Sequence, residues 1–335
     1  MNKFFELSFD DQRRVLQQAS ARCGLPPQAI EKDLWVSNIL QIVFDLPFAD
    51  KLIFKGGTSL SKVWHLIERF SEDIDLAVDR SLFGFEGDLT KKQIKKLRKA
   101  SSLFVKDTFC PALQEAVEKY GLQDFCKIES EPDGEGDSTY PEPRKIFVRY
   151  KSAWAEPSEY LSPIVMLEIG ARSLLEPNEQ THINSMVEGV FPTIQTTIVD
   201  SKVATALASK TFLEKVFLLH ELFSVEGRGV IADCKSRHLY DLSRMMDKDF
   251  ALAAIKDDEL WESIRHHREI FTSISGMDYT PDIRRRIVLV PREDIRSAWE
   301  ADYKSMCSSM IFGEKPSFIE LIENMKVLED RFHRF

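Results

Sequence analysis

Asp73 and Asp75 stand two apart in Ser71-Glu72-Asp73-Ile74-Asp75-Leu76, shortly after the glycine pair of Lys55-Gly56-Gly57-Thr58-Ser59. On a strand, alternation puts both carboxylates on one face and Ile74, Leu76 and Val78 on the other. Carboxylates so close repel one another unless a cation neutralises them. Mg2+ is commonly held by one or two carboxylates together with substrate phosphates, and the free N–H groups of a helix start attract anions. Strand, glycine turn, short helix and carboxylate strand therefore suit a metal-bound triphosphate, with nucleotidyl transfer as the reaction class. The competing reading is a polar strand face at a sheet edge.

Such a site needs a third acid and a cation. Glu168 interrupts an apolar run, residues 163–170, expected to be a strand buried on both faces. A lone charge there needs a metal or a cation, so Glu168 is either a third metal ligand or the ion-pair partner of Arg149 or Arg172. Lys215 falls inside the apolar arc of a helix, between Leu219 and Leu222, where a bare ammonium is costly. Asp241, at the edge of a later apolar face, is placed to reach Lys215 or a ligand. This pair reads either as a buried structural salt bridge or as part of the site.

The elements that carry these residues follow from caps and periodicity. Ser8 caps a helix over residues 10–22, Gly24 closes it, and Pro26-Pro27 opens a second helix running to about Asp45. Leu52 to Phe54 form a strand, and Leu60, Val63, Trp64 and Ile67 trace the buried stripe of the next helix. Lys62, His65 and Arg69 fall off that stripe, toward solvent or a ligand. Strands are predicted over residues 124–130 and 145–150, around an acidic, glycine-containing loop, and a last short one over 192–199. Asp200 is read as the cap of the first of many helices, and Thr211 with Glu214 as a capping box opening the helix that reaches Ser224. The strands thus gather in residues 1–199 and helices fill 200–335, an α+β chain of two domains.

Bulk composition narrows the class. The chain has 335 residues, with 45 basic against 54 acidic residues and a formal charge of −9, so a nucleic-acid partner requires a local basic patch. Lys91, Lys92, Lys95, Arg98 and Lys99 make one helical face of that kind, either plainly solvated or in contact with an RNA backbone. The five scattered cysteines lack C-x-x-C spacing and are read as reduced thiols of a cytosolic protein. No signal-peptide pattern and no run near the ~18–20 apolar residues of a membrane span is present, which leads to the expectation of a soluble protein without a membrane partner. P-loop, G-x-G-x-x-G, G-x-S-x-G and H-E-x-x-H motifs are missing. His266-His267, between Arg265 and Arg268, is read as an exposed helical patch.

Five stretches also resemble a known family: Glu31-Lys-Asp-Leu-Trp-Val36, Phe54-Lys-Gly-Gly-Thr-Ser-Leu60, Arg69-Phe-Ser-Glu-Asp-Ile-Asp-Leu76, Thr211-Phe-Leu-Glu-Lys-Val216 and Arg237-His-Leu-Tyr-Asp-Leu242. In order and kind they look like the signatures of AbiEii/AbiGii-type, MenT-like nucleotidyltransferase toxins. The resemblance implies a polymerase-β-type minimal core, a mixed sheet flanked by helices, followed by an all-α domain that completes the cleft. It implies NMP transfer from an NTP, with Mg2+ or else Mn2+, to an acceptor such as the tRNA 3′ end. It further implies a cytoplasmic toxin of a toxin–antitoxin or phage-defence pair, with a cognate antitoxin.

Carried onto this chain, Asp73 and Asp75 match the metal aspartates, with Glu168 in place of a third. Gly56, Gly57 and Ser59 match the phosphate motif, where Thr58 could take the serine role. Arg69 and Lys215 are assigned to the nucleotide, and Lys215 and Asp241 to the later catalytic lysine and aspartate. Transfer to a protein side chain, or a non-catalytic nucleotide-binding regulatory module, stays open beside this reading.

Overall fold

The computed structural model describes residues 2–71, 73–154 and 161–335; Glu72 of the aspartate motif lies outside them. The described residues form two compact units, one of residues 1–63 with 70–206, the other of 64–69 with 207–335. The expected division at 199/200 thus falls a few residues before the observed one, and a short earlier segment groups with the helical unit.

In the first unit, β1 (Asn2–Lys3) precedes α1 (Phe9–Cys23). Ser8 caps α1 by accepting from the Asp11 N–H, and Gly24 closes it at φ 71°. Pro27 opens α2 (Pro27–Val43). This helix is buried on nearly every side, and three consecutive charged residues in it are tied to distant chain. Glu31 accepts from Ser152 Oγ and the Ala153 N–H, Lys32 donates to the Ser162 carbonyl, and Asp33 accepts from Lys62 and the Met186 N–H. Burial pushes the Glu31 carboxyl up, against the pull of those two donors.

β2 (Leu52–Lys55) leads into α3 (Gly56–Lys62), and β3 (Ile74–Val78) carries Asp75. Then come α4 (Lys91–Phe104), a π-type turn, α5 (Cys110–Lys119), β4 (Cys126–Ser130), β5 (Arg144–Tyr150) and β6 (Ile164–Gly170). The unit ends with β7 (Asn178–Thr181), α6 (Met186–Val190), β8 (Ile194–Gln195) and β9 (Val203–Ala206). Among the described residues, seven strands make one mixed sheet in the order β4-β5-β6-β3-β2-β9-β7, while β1 pairs with β8.

Three expectations change here. The helix after Gly56 stops at Lys62, so the wheel drawn to Ile67 does not apply; Lys62 pairs with Asp33 at 2.5 Å, and only His65 is exposed. β6 is buried on alternate residues rather than on both faces, which leaves Ile164, Met166 and Glu168 on its more open side. Asp200 caps no helix, because Val203 to Ala206, all buried, enter the sheet parallel to β2.

The helical unit comprises α7 (Ala208–Ser224), α8 (Arg237–Met245), α9 (Asp249–Ala254), α10 (Asp258–His267), α11 (Glu293–Ser309) and α12 (Phe318–His333). Since α7 starts before Thr211, that residue lies inside the helix, its hydroxyl is buried without a hydrogen-bond partner, and the capping box is not formed. Phe217 packs on Trp261 at 4.6 Å and Trp261 on Phe332 at 5.4 Å. The arginines around His266-His267 are not an exposed patch: Arg265 is buried and bonded to Glu262, Glu269 and the Tyr279 carbonyl, and Arg268 pairs with Glu221.

His220 is buried on α7, where its Nδ1 accepts from the Val288 N–H at 3.0 Å and meets Ser224 Oγ at 2.7 Å. Burial, aided by Arg286 and opposed by Asp278, pushes its pKa down to about 4. An unfolded histidine titrates near 6.5, so between those values the unfolded chain binds the extra proton and stability falls as pH falls. This one group should cost the fold about 3 kcal/mol between pH 7 and pH 4. Denaturant titrations of wild type and His220→Gln check this, the variant showing a correspondingly flatter pH dependence.

Candidate active site

β3 lies between antiparallel β2 and parallel β6, and the register sets Lys55 beside Asp75, Asp75 beside Glu168 and Glu168 beside Lys145. Neighbours across a sheet share a face, so these four form one row. Glu168 Oε1 lies 3.2 Å from Lys145 Nζ. The cation that meets Glu168 is thus Lys145, not Arg149 or Arg172, which pair with Glu129 and Glu142. Strand register, invisible along the chain, decides this.

Asp75 also packs against the glycine turn. Gly56 has φ +80°, and a Cβ there would stand 2.0 Å from Asp75 Oδ2, so both backbone and carboxylate require glycine. Thr58 Oγ1 donates to the Asp73 carbonyl at 2.6 Å and lies 2.8 Å from Ser71 Oγ. Ser59 Oγ donates to the Gly56 carbonyl at 2.8 Å. Both hydroxyl-bearing residues are buried, so the structure commits these side chains to holding the turn and the backbone at Asp73. Asp73 itself immediately precedes β3.

Among the described residues no three His, Cys, Asp or Glu side chains form a ready-made metal cage. Asp73, Asp75 and Glu168, the acids the sequence assigns to a metal, are therefore not gathered into such a group; the register brings Asp75 and Glu168 side by side, and Asp73 lies just before β3.

In the helical unit, Arg69 holds Asp241 with two bonds, Nε to Oδ1 at 2.7 Å and Nη2 to Oδ2 at 2.9 Å. Lys215 Nζ meets Asp241 Oδ2 at 2.9 Å and His238 Nδ1 at 3.2 Å. Arg69 is therefore buried against a carboxylate rather than turned to solvent. Burial alone would raise the Asp241 carboxyl, but Arg69 and Lys215 override it and hold it well below the usual carboxylate range. Burial pushes the Lys215 ammonium down, with Asp241 opposing. Burial and then Lys215 keep His238 neutral, its pKa well below the ordinary value. The sequence reading gave His238 no role, although its place three residues before Asp241 on α8 puts it on the same helical face.

A glycine turn that packs on the aspartate strand of a mixed sheet, followed by helices bearing a buried lysine–aspartate pair, defines a nucleotidyltransferase. The chain belongs to the AbiEii family, the nucleotidyl transferase toxins of type IV toxin–antitoxin systems, whose family model matches residues 38–324. Members use an NTP and a divalent metal, and the family implies an antitoxin. The chain is also similar to MenT4, a nucleotidyltransferase toxin from Mycobacterium tuberculosis H37Rv, at 14% identity and a TM-score of 0.47 over 95% of this chain and 97% of that one. No curated protein matches it. No helix among the described residues is long and apolar enough to cross a membrane.

Two substitutions test this geometry. Gly56→Ala should displace Asp75 and reduce nucleotidyl transfer about a hundredfold, the scale of a 1 Å misplacement, in single-turnover assays. Asp241→Ala leaves Arg69 and Lys215 buried without their carboxylate and should cost about 3–5 kcal/mol in urea unfolding. A loss of under about 1 kcal/mol would contradict the buried cluster.

Proposed function

We propose that this nucleotidyltransferase toxin transfers NMP from an NTP to the 3′ end of a tRNA, acting in the cytoplasm as the toxic half of a toxin–antitoxin or phage-defence pair and countered by a cognate antitoxin. The observation that carries the chemistry is the placement of Asp75, in register beside Glu168 and pressed on Gly56. Asp73, Asp75 and Glu168 would hold Mg2+, or Mn2+ in its place. Such an ion, when bound, neutralises the triphosphate and lowers the pKa of an attacking hydroxyl.

The chain's own contribution is positioning and electrostatics, as in phosphoryl transfer generally. Backbone N–H groups from Gly56 through Ser59 cradle the phosphates, and the Thr58 and Ser59 hydroxyls keep that turn in shape. For Lys215 the proposed role is to counter charge developing on the leaving pyrophosphate. Asp241, with Arg69 and His238 around the same centre, fixes its ammonium.

Incubation with Mg2+, each labelled NTP and either total tRNA or total protein tests the reading. Wild type should label tRNA, and Asp73→Ala and Asp75→Ala should fall to background with unchanged circular dichroism. Label on protein would replace the acceptor. Tight NTP binding without transfer would make the chain a regulatory module.

A further inference from the structure

β4, β5 and β6 bury one face of the sheet and leave the other open. Ile128, Ile146, Val148, Val165 and Leu167 are buried on the inner side. The alternate residues form rows on the outer side: Glu129 beside Phe147 and Phe147 beside Met166, then Lys127 beside Arg149. These lie on the face that carries Lys145, Glu168 and Asp75, with successive rows about 7 Å apart along the strands. Phe147 and Met166 are half-buried. Their fringe is open, with the side chains of Lys127, Arg149 and Lys145 75%, 49% and 36% exposed. Arg149 lies over the Phe147 ring, 5.6 Å from its centroid. Glu129 pairs with both Lys127 and Arg149 and Glu168 with Lys145, so across these three strands the outer face sets three cations against two carboxylates.

We propose that this open face seats the single-stranded end of the acceptor RNA, with Phe147 and Met166 under the bases and Lys127, Arg149 and Lys145 along the phosphates. The inference rests on the RNA reading above and adds where the acceptor lies. Base stacking on aromatic side chains within a cationic surface is how single strands are held without strict sequence choice. Continuity supplies the other half of the argument, because the face runs directly into the row of Glu168 and Asp75, where an attacking hydroxyl must arrive. The basic helix α4 has more charge but the wrong side. Arg144, one residue before Lys145, turns to the opposite face and donates to Ser102 of α4. The α4 lysines therefore lie behind the sheet and cannot deliver a 3′ end to the carboxylates.

The test uses the full chain, a fluorescein-labelled single-stranded RNA oligonucleotide for anisotropy, and total tRNA for transfer. Phe147→Ala, and Phe147→Leu, which keeps apolar bulk without the ring, should each weaken RNA binding about tenfold and raise the KM for tRNA to match. The KM for NTP should stay within about twofold, since NTP contacts are untouched. Arg149→Glu should lower the slope of log affinity against log salt by about 0.7 or more, while Lys91→Glu with Lys92→Glu should behave as wild type. If tRNA is labelled but the face variants match wild type, or the α4 variant loses binding instead, this inference fails and the proposed function stands. If wild type neither binds nor labels RNA, the acceptor reading itself fails, and this inference with it.

Discussion

The site depends on the register of β3. Phe54, Leu76 and Ile169 sit side by side on the buried face, exposed by 1% or less. A slip of one residue would turn that apolar set outward and drive Asp75 into the core, a change no pairing energy could offset. The apolar row therefore fixes where the carboxylates go. Only glycine then fits at position 56, because Asp75 already occupies the space a side chain would need, and Thr58 ties the chain at Asp73 to the same turn.

The helical unit has a comparable constraint of the opposite sign. Arg69, Lys215 and Asp241 bring two positive charges and one negative into a buried place, and His238 adds none because it stays neutral. Buried ion clusters are poor evidence of stability, since apolar residues of the same volume often do as well. What this cluster fixes is the place of the Lys215 ammonium, held between Asp241 and the neutral His238. The same node anchors the segment before the aspartate motif. Glu68 accepts from Arg244 and its carbonyl from the Phe312 N–H, while Arg69 bridges to Ile311.

What could be read along the chain was what local periodicity and capping encode. The two-residue spacing of Asp73 and Asp75, the Ser8 and Gly24 caps of α1, and the out-of-place Lys215 were all visible there. The end of α3 was not, because Ile67 is buried as the pattern demands but on non-helical backbone, and burial is indifferent to how the chain gets there. β9 was missed because a short run of Val, Ala and Thr has no strong strand signal and Asp200 looks like a cap; its place between β2 and β7 is set by tertiary pairing. Pairing also hid Lys145 as the partner of Glu168 and gave Arg69 to Asp241.

The row Lys55, Asp75, Glu168, Lys145 has its two acids in the middle and a cation at each end. Without a metal, the lysines offset the repulsion between neighbouring carboxylates, which helps the sheet to form before any ligand binds. The Glu168–Lys145 pair is about one-third exposed on both sides, and exposed pairs contribute only about 0–1 kcal/mol. Glu168 is therefore held only loosely. That looseness follows from the alternate burial of β6, because a strand buried on both faces would have required a full partner for the charge.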